Sequence, residues 1–320
     1  MNVLLISSTK IGLKTLKAID RNRKINIVGI VTTTELFSIS YAPLGVKNVL
    51  HSDFTMYANR RGIPLYIMRE SMGEPELFEF VHECGAQCLL VVGWFHMIPK
   101  SWLELWPTFG IHGSLLPKYT GGAPLVWAII NGETETGTTL FRFEQGVDSG
   151  PIVSQSKVKI RLRDTIATLY RKVEKASIQM LKKEIEHLLD PELPIVIQDE
   201  NRRTVFPQRS PRDGELMGIL SEQDLRNFVR AQTKPYPGAF VNLNGIRIVI
   251  WSVAKRTNQL IDSREILLIR KRRLYILSAT GYIRIRQFEI QEREGTAWVS
   301  FTGCKEDCFR VLAERVRLLQ

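Results

Sequence analysis

The chain has 320 residues, 44% of them hydrophobic and 24% charged, and a formal net charge of +11. This is enough for two globular domains of ordinary composition. No apolar run approaches the roughly 18 residues that cross a bilayer, so no membrane partner is expected.

The chain opens on the apolar run Met1–Ser8, which Lys10 and Lys14 cut off and no basic stretch precedes. It reads as a first β-strand, not a secretory leader. Val3–Ser7 and Ile25–Thr32 are predicted strands with a helix over Gly12–Arg23 between them. Helix Asp53–Arg61, strand Pro64–Tyr66, helix Glu74–Glu83 and the apolar strand Cys88–Val92 follow. Strands alternating with helices of this length predict βαβ units and a mainly parallel sheet. The first turn, Ser7-Ser8-Thr9-Lys10-Ile11-Gly12, has no G-x-G-x-x-G, and no P-loop occurs. The sheet is therefore Rossmann-like in winding only, without a dinucleotide cofactor.

Further along, Pro124–Ile130 predicts a short helix, Thr138–Phe143 a strand, and Thr165–Leu189 a long helix. Asp190-Pro-Glu-Leu-Pro194 reads as a linker. A helix over Ser221–Gln232 then leads into short strands at Ala239–Leu243, Arg247–Ser252, Glu265–Ile269, Leu274–Leu277 and Tyr282–Ile290. That spacing predicts a small β-rich, OB-like barrel. The expected fold class is α/β, with a catalytic domain over residues 1–200 and an OB-like C-terminal domain over 206–315. Cysteines stand at 84, 88, 304 and 308. Three-residue gaps suit a zinc knuckle poorly, so no metal is expected. Free thiols imply a reducing, cytoplasmic compartment. Oligomeric state is not legible, and a homodimer stays open.

Chemistry concentrates in His112-Gly-Ser-Leu-Leu-Pro-Lys-Tyr-Thr-Gly-Gly-Ala-Pro124 and Gly146-Val-Asp-Ser-Gly-Pro151. Two Gly/Pro-punctuated loops thus carry an imidazole and a carboxylate, placed just past a strand end where open α/β sheets bind ligands. An imidazole titrates near neutrality and suits proton transfer, and a nearby carboxylate can orient it.

These segments resemble the signature of the formyltransferases that use 10-formyltetrahydrofolate. Leu115–Tyr119 and Gly122-Ala-Pro124 look like that family's loop and helix start, and Asn131–Gly137 is similar to a segment of nucleotide-sugar N-formyltransferases. Pro207-Gln-Arg209, Pro211–Gly214 and Pro235–Phe240 resemble the C-terminal domain shared with methionyl-tRNA formyltransferase. The resemblance implies His112 and Asp148 as catalytic groups. It implies Gly93, Trp94, Phe95, Met97, Leu116, Gly146 and Val147 around the folate, which serves as formyl donor. The family places an Asn two residues before its His, to hydrogen-bond the developing oxyanion; here that position is Gly110. Losing such a donor costs about two to three orders of magnitude in rate. A backbone N–H or water in its place, a cationic His112, or an inactive folate- or sugar-nucleotide-binding relative each fit the departure.

Two features of the sequence point to different acceptor amines. Residues 1–200 hold 22 Lys/Arg against 21 Asp/Glu, and residues 201–320 hold 22 against 12. That bias, with the run Arg270-Lys-Arg-Arg273, favours tRNA, although a solvated basic face explains it equally well. The segment Thr32–Lys47, where the tRNA enzymes place a basic insertion, has one Lys and no Arg. Its hydroxyls and aromatics suit a sugar. The favoured acceptor is therefore a nucleotide-linked amino sugar, tied by the resemblance to cell-surface polysaccharide biosynthesis. Ser40, Tyr41, Lys118 and Tyr119 are assigned to it, with Arg209 and Lys234 for its diphosphate.

Overall fold

The computed structural model describes residues 1–39, 42–258, 265–294, 297–300 and 310–312. It divides into two compact units. One comprises Met1–Pro124, Glu135–Lys159 and Tyr170–Phe206, and the other Leu125–Thr134, Ile160–Leu169 and Pro207–Gln320.

The strands of the first unit, in chain order, are β1 (Asn2–Ile6), β2 (Asn26–Thr33), β3 (Leu36–Ile39), β4 (Ala42–Lys47), β5 (Leu65–Met68), β6 (Cys88–Val92), β7 (Thr108–His112), β8 (Thr120–Gly121), β9 (Glu135–Arg142), β10 (Ile152–Lys159) and β11 (Val205–Phe206). Seven of them form one sheet in the order β10-β9-β7-β6-β1-β2-β5. The five from β7 to β5 run parallel, and β9 and β10 are antiparallel additions. The strand order reverses at β1, so the switch point lies between β1 and β6, where ligands settle beyond the carboxyl ends.

The strands explain their own burial. Leu5, Leu90 and Val92 face one core with helix α1 (Lys10–Ile19) and Met180, Leu181 and Ile185 near the end of the long helix Ile166–Glu184. Leu4, Ile6, Leu89 and Val91 face a second core, with Leu77 and Val81 of the helix Pro75–Glu83 and Trp102 and Trp106 beside the helix Lys100–Leu105. A parallel sheet covered on both faces needs unbroken apolar runs, which is why Cys88–Val92 lacks alternation. Cys88 is fully buried, and burial pushes its thiol up to about 12; Cys84 shifts the same way. Both are free thiols, while Cys304 and Cys308 lie outside the described residues.

The second unit holds an antiparallel sheet of six strands: β12 (Ala239–Leu243), β13 (Ile246–Asn258), β14 (Leu267–Arg270), β15 (Arg273–Ser278), β16 (Gly281–Glu294) and β17 (Ala297–Ser300). Its inner face, led by Ile246, Ile248, Ile250 and Ile290, packs on Leu225 and Val229 of the helix Glu222–Gln232. The chain is thus α/β with a β-rich, OB-like second domain, as expected.

Boundaries moved where packing overrode pattern. The first helix starts at Lys10 and contains Gly12. A Cβ there would lie 1.6 Å from Ser7 Oγ, so the glycine permits close helix–strand approach and does not mark the helix start. His112 closes β7 and does not follow it. Strand β10 and the β3–β4 hairpin extend the expected set.

Candidate active site

His112 and Asp148 come together from a strand end and a loop. The imidazole hangs from the last residue of β7, and the carboxylate from the loop between β9 and β10. His112 Nδ1 lies 3.5 Å from Asp148 Oδ2, with the side chains 11% and 18% exposed. The other ring nitrogen, Nε2, lies 2.8 Å from the Tyr119 carbonyl oxygen. A carbonyl only accepts, so this contact places the proton on Nε2 and turns Nδ1 toward the carboxylate. A proton arriving at Nδ1 then finds Asp148 waiting. The Gly121 N–H also donates to Asp148 Oδ2, at 2.9 Å, and fixes the carboxylate from the opposite loop.

The Asp148 backbone is left-handed, with φ at +50°, an uncommon state for a residue with a side chain. It is held there by a strap of chain, residues 195–206, that sequence patterning gives no reason to place at the site. Gln198 Nε2 donates to the carbonyls of Asp148 and Gly150, both at 2.7 Å, and Arg203 Nη2 donates to the Val147 carbonyl. The Thr204 hydroxyl accepts from the Tyr119 N–H at 2.8 Å. Strand β11 pairs with β8, and the Phe206 ring stacks on Tyr119 at 4.7 Å. The strap therefore braces both loops that flank the His112–Asp148 pair.

Gly110 sits on the same strand face as His112, two residues earlier, by strand alternation. A Cβ at Gly110 would lie 2.1 Å from Cε1 and 2.7 Å from Cζ of Phe143. The ring, stacked on Phe141 at 4.8 Å, occupies the space that a side chain at 110 would need. No amide side chain stands beside the imidazole from this position; an aromatic wall does.

Gly93 follows β6 with φ +62°, and a Cβ on it would meet Thr9 Oγ1 at 2.0 Å, so only glycine brings the two loops at the switch point so close. Behind it Phe37 packs on Phe95 and His96, and Trp94 on His96. The buried atoms Thr9 Oγ1, Thr32 Oγ1, Trp94 Nε1 and His96 Nε2 have no hydrogen-bond partner among the described residues. Burial alone lowers the His96 pKa, keeping it a neutral ring. Aromatic faces with unmatched polar atoms are the chemistry that a flat, hydrogen-bonding heterocycle needs. Met97 and Val147 are exposed, Phe95 partly so, and Leu116 is buried beside Phe141 ahead of the cis Leu116–Pro117 bond.

The remaining candidates are dispersed. Lys118 is exposed. Arg209 and Lys234 belong to the second unit, and both are engaged. Arg209 Nη2 donates to the Asp213 carbonyl at 2.6 Å and to Gln232 Oε1 at 2.8 Å, with its guanidinium over Trp127. Lys234 lies over the Trp251 ring at 5.0 Å. Ser40 and Tyr41 lie outside the described residues. Gln198, Arg203 and Phe143 are the site residues that patterning misses.

Comparison with known proteins follows the same lines. The family described as Formyl transferase matches residues 3–185, and Formyl transferase, C-terminal domain, matches residues 220–303. Among solved structures, the chain is similar to an N-formyltransferase from Helicobacter canadensis in complex with folinic acid and dTDP-3-aminofucose. The identity is 17%, the TM-score 0.65, and the match covers 89% of this chain and 98% of the other. The methionyl-tRNA formyltransferase from Clostridium thermocellum matches at 19% identity and TM-score 0.57, covering 80% and 94%. HypX from Aquifex aeolicus, in complex with tetrahydrofolic acid, matches at 16% and TM-score 0.62, covering 98% of this chain. This chain spans only about half of HypX, 47% of its length.

Proposed function

Because the chain belongs to the formyl transferase family, we propose that this enzyme moves a formyl group from 10-formyltetrahydrofolate to the amine of a nucleotide-linked amino sugar. The observation that carries the reading is the His112–Asp148 pair at the carboxyl edge of the parallel sheet, with its Nδ1 edge facing the carboxylate. The acceptor nitrogen attacks the formyl carbon and loses a proton. His112 Nδ1 receives it, Asp148 stabilises the cation so formed, and the proton leaves on the departing folate nitrogen. With Phe143 filling the space at Gly110, the transient oxyanion is left to a backbone N–H or a water. The segment Gly93–Met97, with its aromatic faces and unmatched polar atoms, is the part of the chain that fits the pterin.

An amino-sugar acceptor draws support from the segment at residues 32–47, which carries one Lys and no Arg, and from the dTDP-3-aminofucose bound to the Helicobacter canadensis enzyme. Methionyl-tRNA is the second reading, favoured by the basic last third and by the Clostridium thermocellum neighbour. The free thiols of half-buried Cys84 and buried Cys88 fit a cytoplasmic site of action.

The test incubates the chain with 10-formyltetrahydrofolate and a panel of nucleotide-linked amino sugars beside methionyl-tRNA, reading products by mass. A formyl adduct on a sugar amine supports the proposal. Product on methionyl-tRNA alone replaces it with the second reading.

A further inference from the structure

We propose that the second unit carries a nucleoside-diphosphate site on the outer face of its antiparallel sheet, built from Arg212, Arg247, Arg293 and Trp298. The inference does not rest on which amine is formylated. The alternation that sends Ile246, Ile248 and Ile290 into the core sends Arg247 and Gln291 to the opposite face, where they stand opposite one another. Arg293 is two residues beyond Gln291 and pairs with Trp298 of β17. Arg247, Arg293 and Trp298, with Pro211 and Arg212, line a cavity of about 360 Å³. That volume is within the range of about 300–1,000 Å³ seen for small-molecule sites.

The pocket is pre-organised. The Arg247 guanidinium lies between two rings, 3.8 Å from the Phe240 centroid and 4.4 Å from that of Trp298. Its Nε donates to Asn242 Oδ1 at 3.1 Å, and Asn242 Nδ2 donates in turn to Glu215 Oε1 at 2.8 Å. The nearby carboxylate is thereby engaged by an amide, and none of the five lining residues is acidic. Three guanidinium forks around one cavity match a diphosphate, whose terminal group alone carries about −1.5 to −2 charges. A bare polyanion would engage the guanidinium forks alone and make no use of the Pro211 ring or of the part of the Trp298 indole that lines the cavity. A nucleoside supplies a flat base for them.

The experiment uses the full chain. UDP, uridine and inorganic pyrophosphate are titrated by calorimetry, and an azido-UDP analogue is photo-crosslinked and its peptides mapped. UDP is expected to bind, to label peptides containing Pro211–Asp213 or Arg293–Ser300, and to bind at least about tenfold more tightly than uridine or pyrophosphate. Trp298→Ala and Arg293→Ala are each expected to weaken it about tenfold, the scale of losing one charge-assisted or stacking contact. Arg212→Glu, at an exposed position, serves where the sheet variants do not fold. Absence of UDP binding overturns the proposal, as does label confined to residues 1–206, pyrophosphate binding as tightly as UDP, or an affinity unmoved by every folded variant. Formylation measured alongside separates this failure from failure of the acceptor assignment.

Discussion

Restoring an asparagine beside the imidazole is the most informative perturbation. In Gly110→Asn the new Cβ lands 2.1 Å from Phe143 Cε1 and 2.7 Å from Cζ, where ordinary contacts begin beyond 3.4 Å. The ring must retreat by more than an ångström, which disturbs its stacking on Phe141 and its packing against Leu116 and Ile152. Overpacking of this kind costs about 1–3 kcal/mol. For a unit of this size that lowers Tm by roughly 2–4 °C per kcal/mol. Phe143→Ala alone also destabilises, by loss of apolar burial, but it opens the volume that the asparagine needs. The two changes share one space, so the double variant should be more stable than the sum of the singles by about 0.5–3 kcal/mol. Urea unfolding of the four proteins measures the coupling. An additive cycle would show that Phe143 does not occupy the place of a side chain at 110.

Other expectations follow from the site. His112→Ala and Asp148→Asn should each reduce formyl transfer by about two orders of magnitude or more with little change in Tm; near wild-type turnover in either removes its assigned role. Gln198→Ala deletes two hydrogen bonds to the Asp148 loop, and should cost about 1–3 kcal/mol in urea while lowering kcat more than it raises KM. Equal loss of both would deny it a positioning role. His96 has a lowered pKa through burial. The unfolded chain therefore binds the extra proton first, and stability should rise with pH up through the unfolded value of about 6.5. His96→Gln should flatten that part of the pH–stability curve, and an unchanged slope would contradict the burial argument. With a nucleotide sugar as acceptor, activity should depend only weakly on salt, and a triple charge reversal at Arg270, Lys271 and Arg272 should leave most of it intact. A steep salt slope that this triple variant flattens would point to tRNA.

The sequence speaks most clearly where one force dominates. Cys88–Val92 reads as a strand because both of its faces are buried, and Gly146–Pro151 reads as a loop because glycine and proline allow little else. Strand β7 is harder to see. Its central Gly110 breaks the apolar run, and the reason for that glycine lies 33 positions away in Phe143, which reaches it only through the register of β7 with β9. Strand β10 alternates Val153-Ser-Gln-Ser-Lys157, which looks solvated because much of this edge strand is. The strap is invisible for another reason. Ile195, Val196, Ile197 and Val205 are exposed, and the segment's value comes from Gln198, Arg203 and Thr204 meeting backbone groups far back in the chain. Such polar bracing leaves no periodicity. The His112–Asp148 pairing was legible as two loops, but the bond from Nε2 to the Tyr119 carbonyl, which orients the ring, depends on a turn that only the folded chain reveals.

The most direct test of the account is single-turnover transfer of an isotopically labelled formyl group from 10-formyltetrahydrofolate to a nucleotide-linked amino sugar, run on the wild type, His112→Ala and Asp148→Asn. Labelled amide is expected from the wild type and almost none from either variant, with donor binding retained in all three. Labelled product forming equally fast in the variants, or none from the wild type with any amino sugar while methionyl-tRNA is formylated, would contradict it.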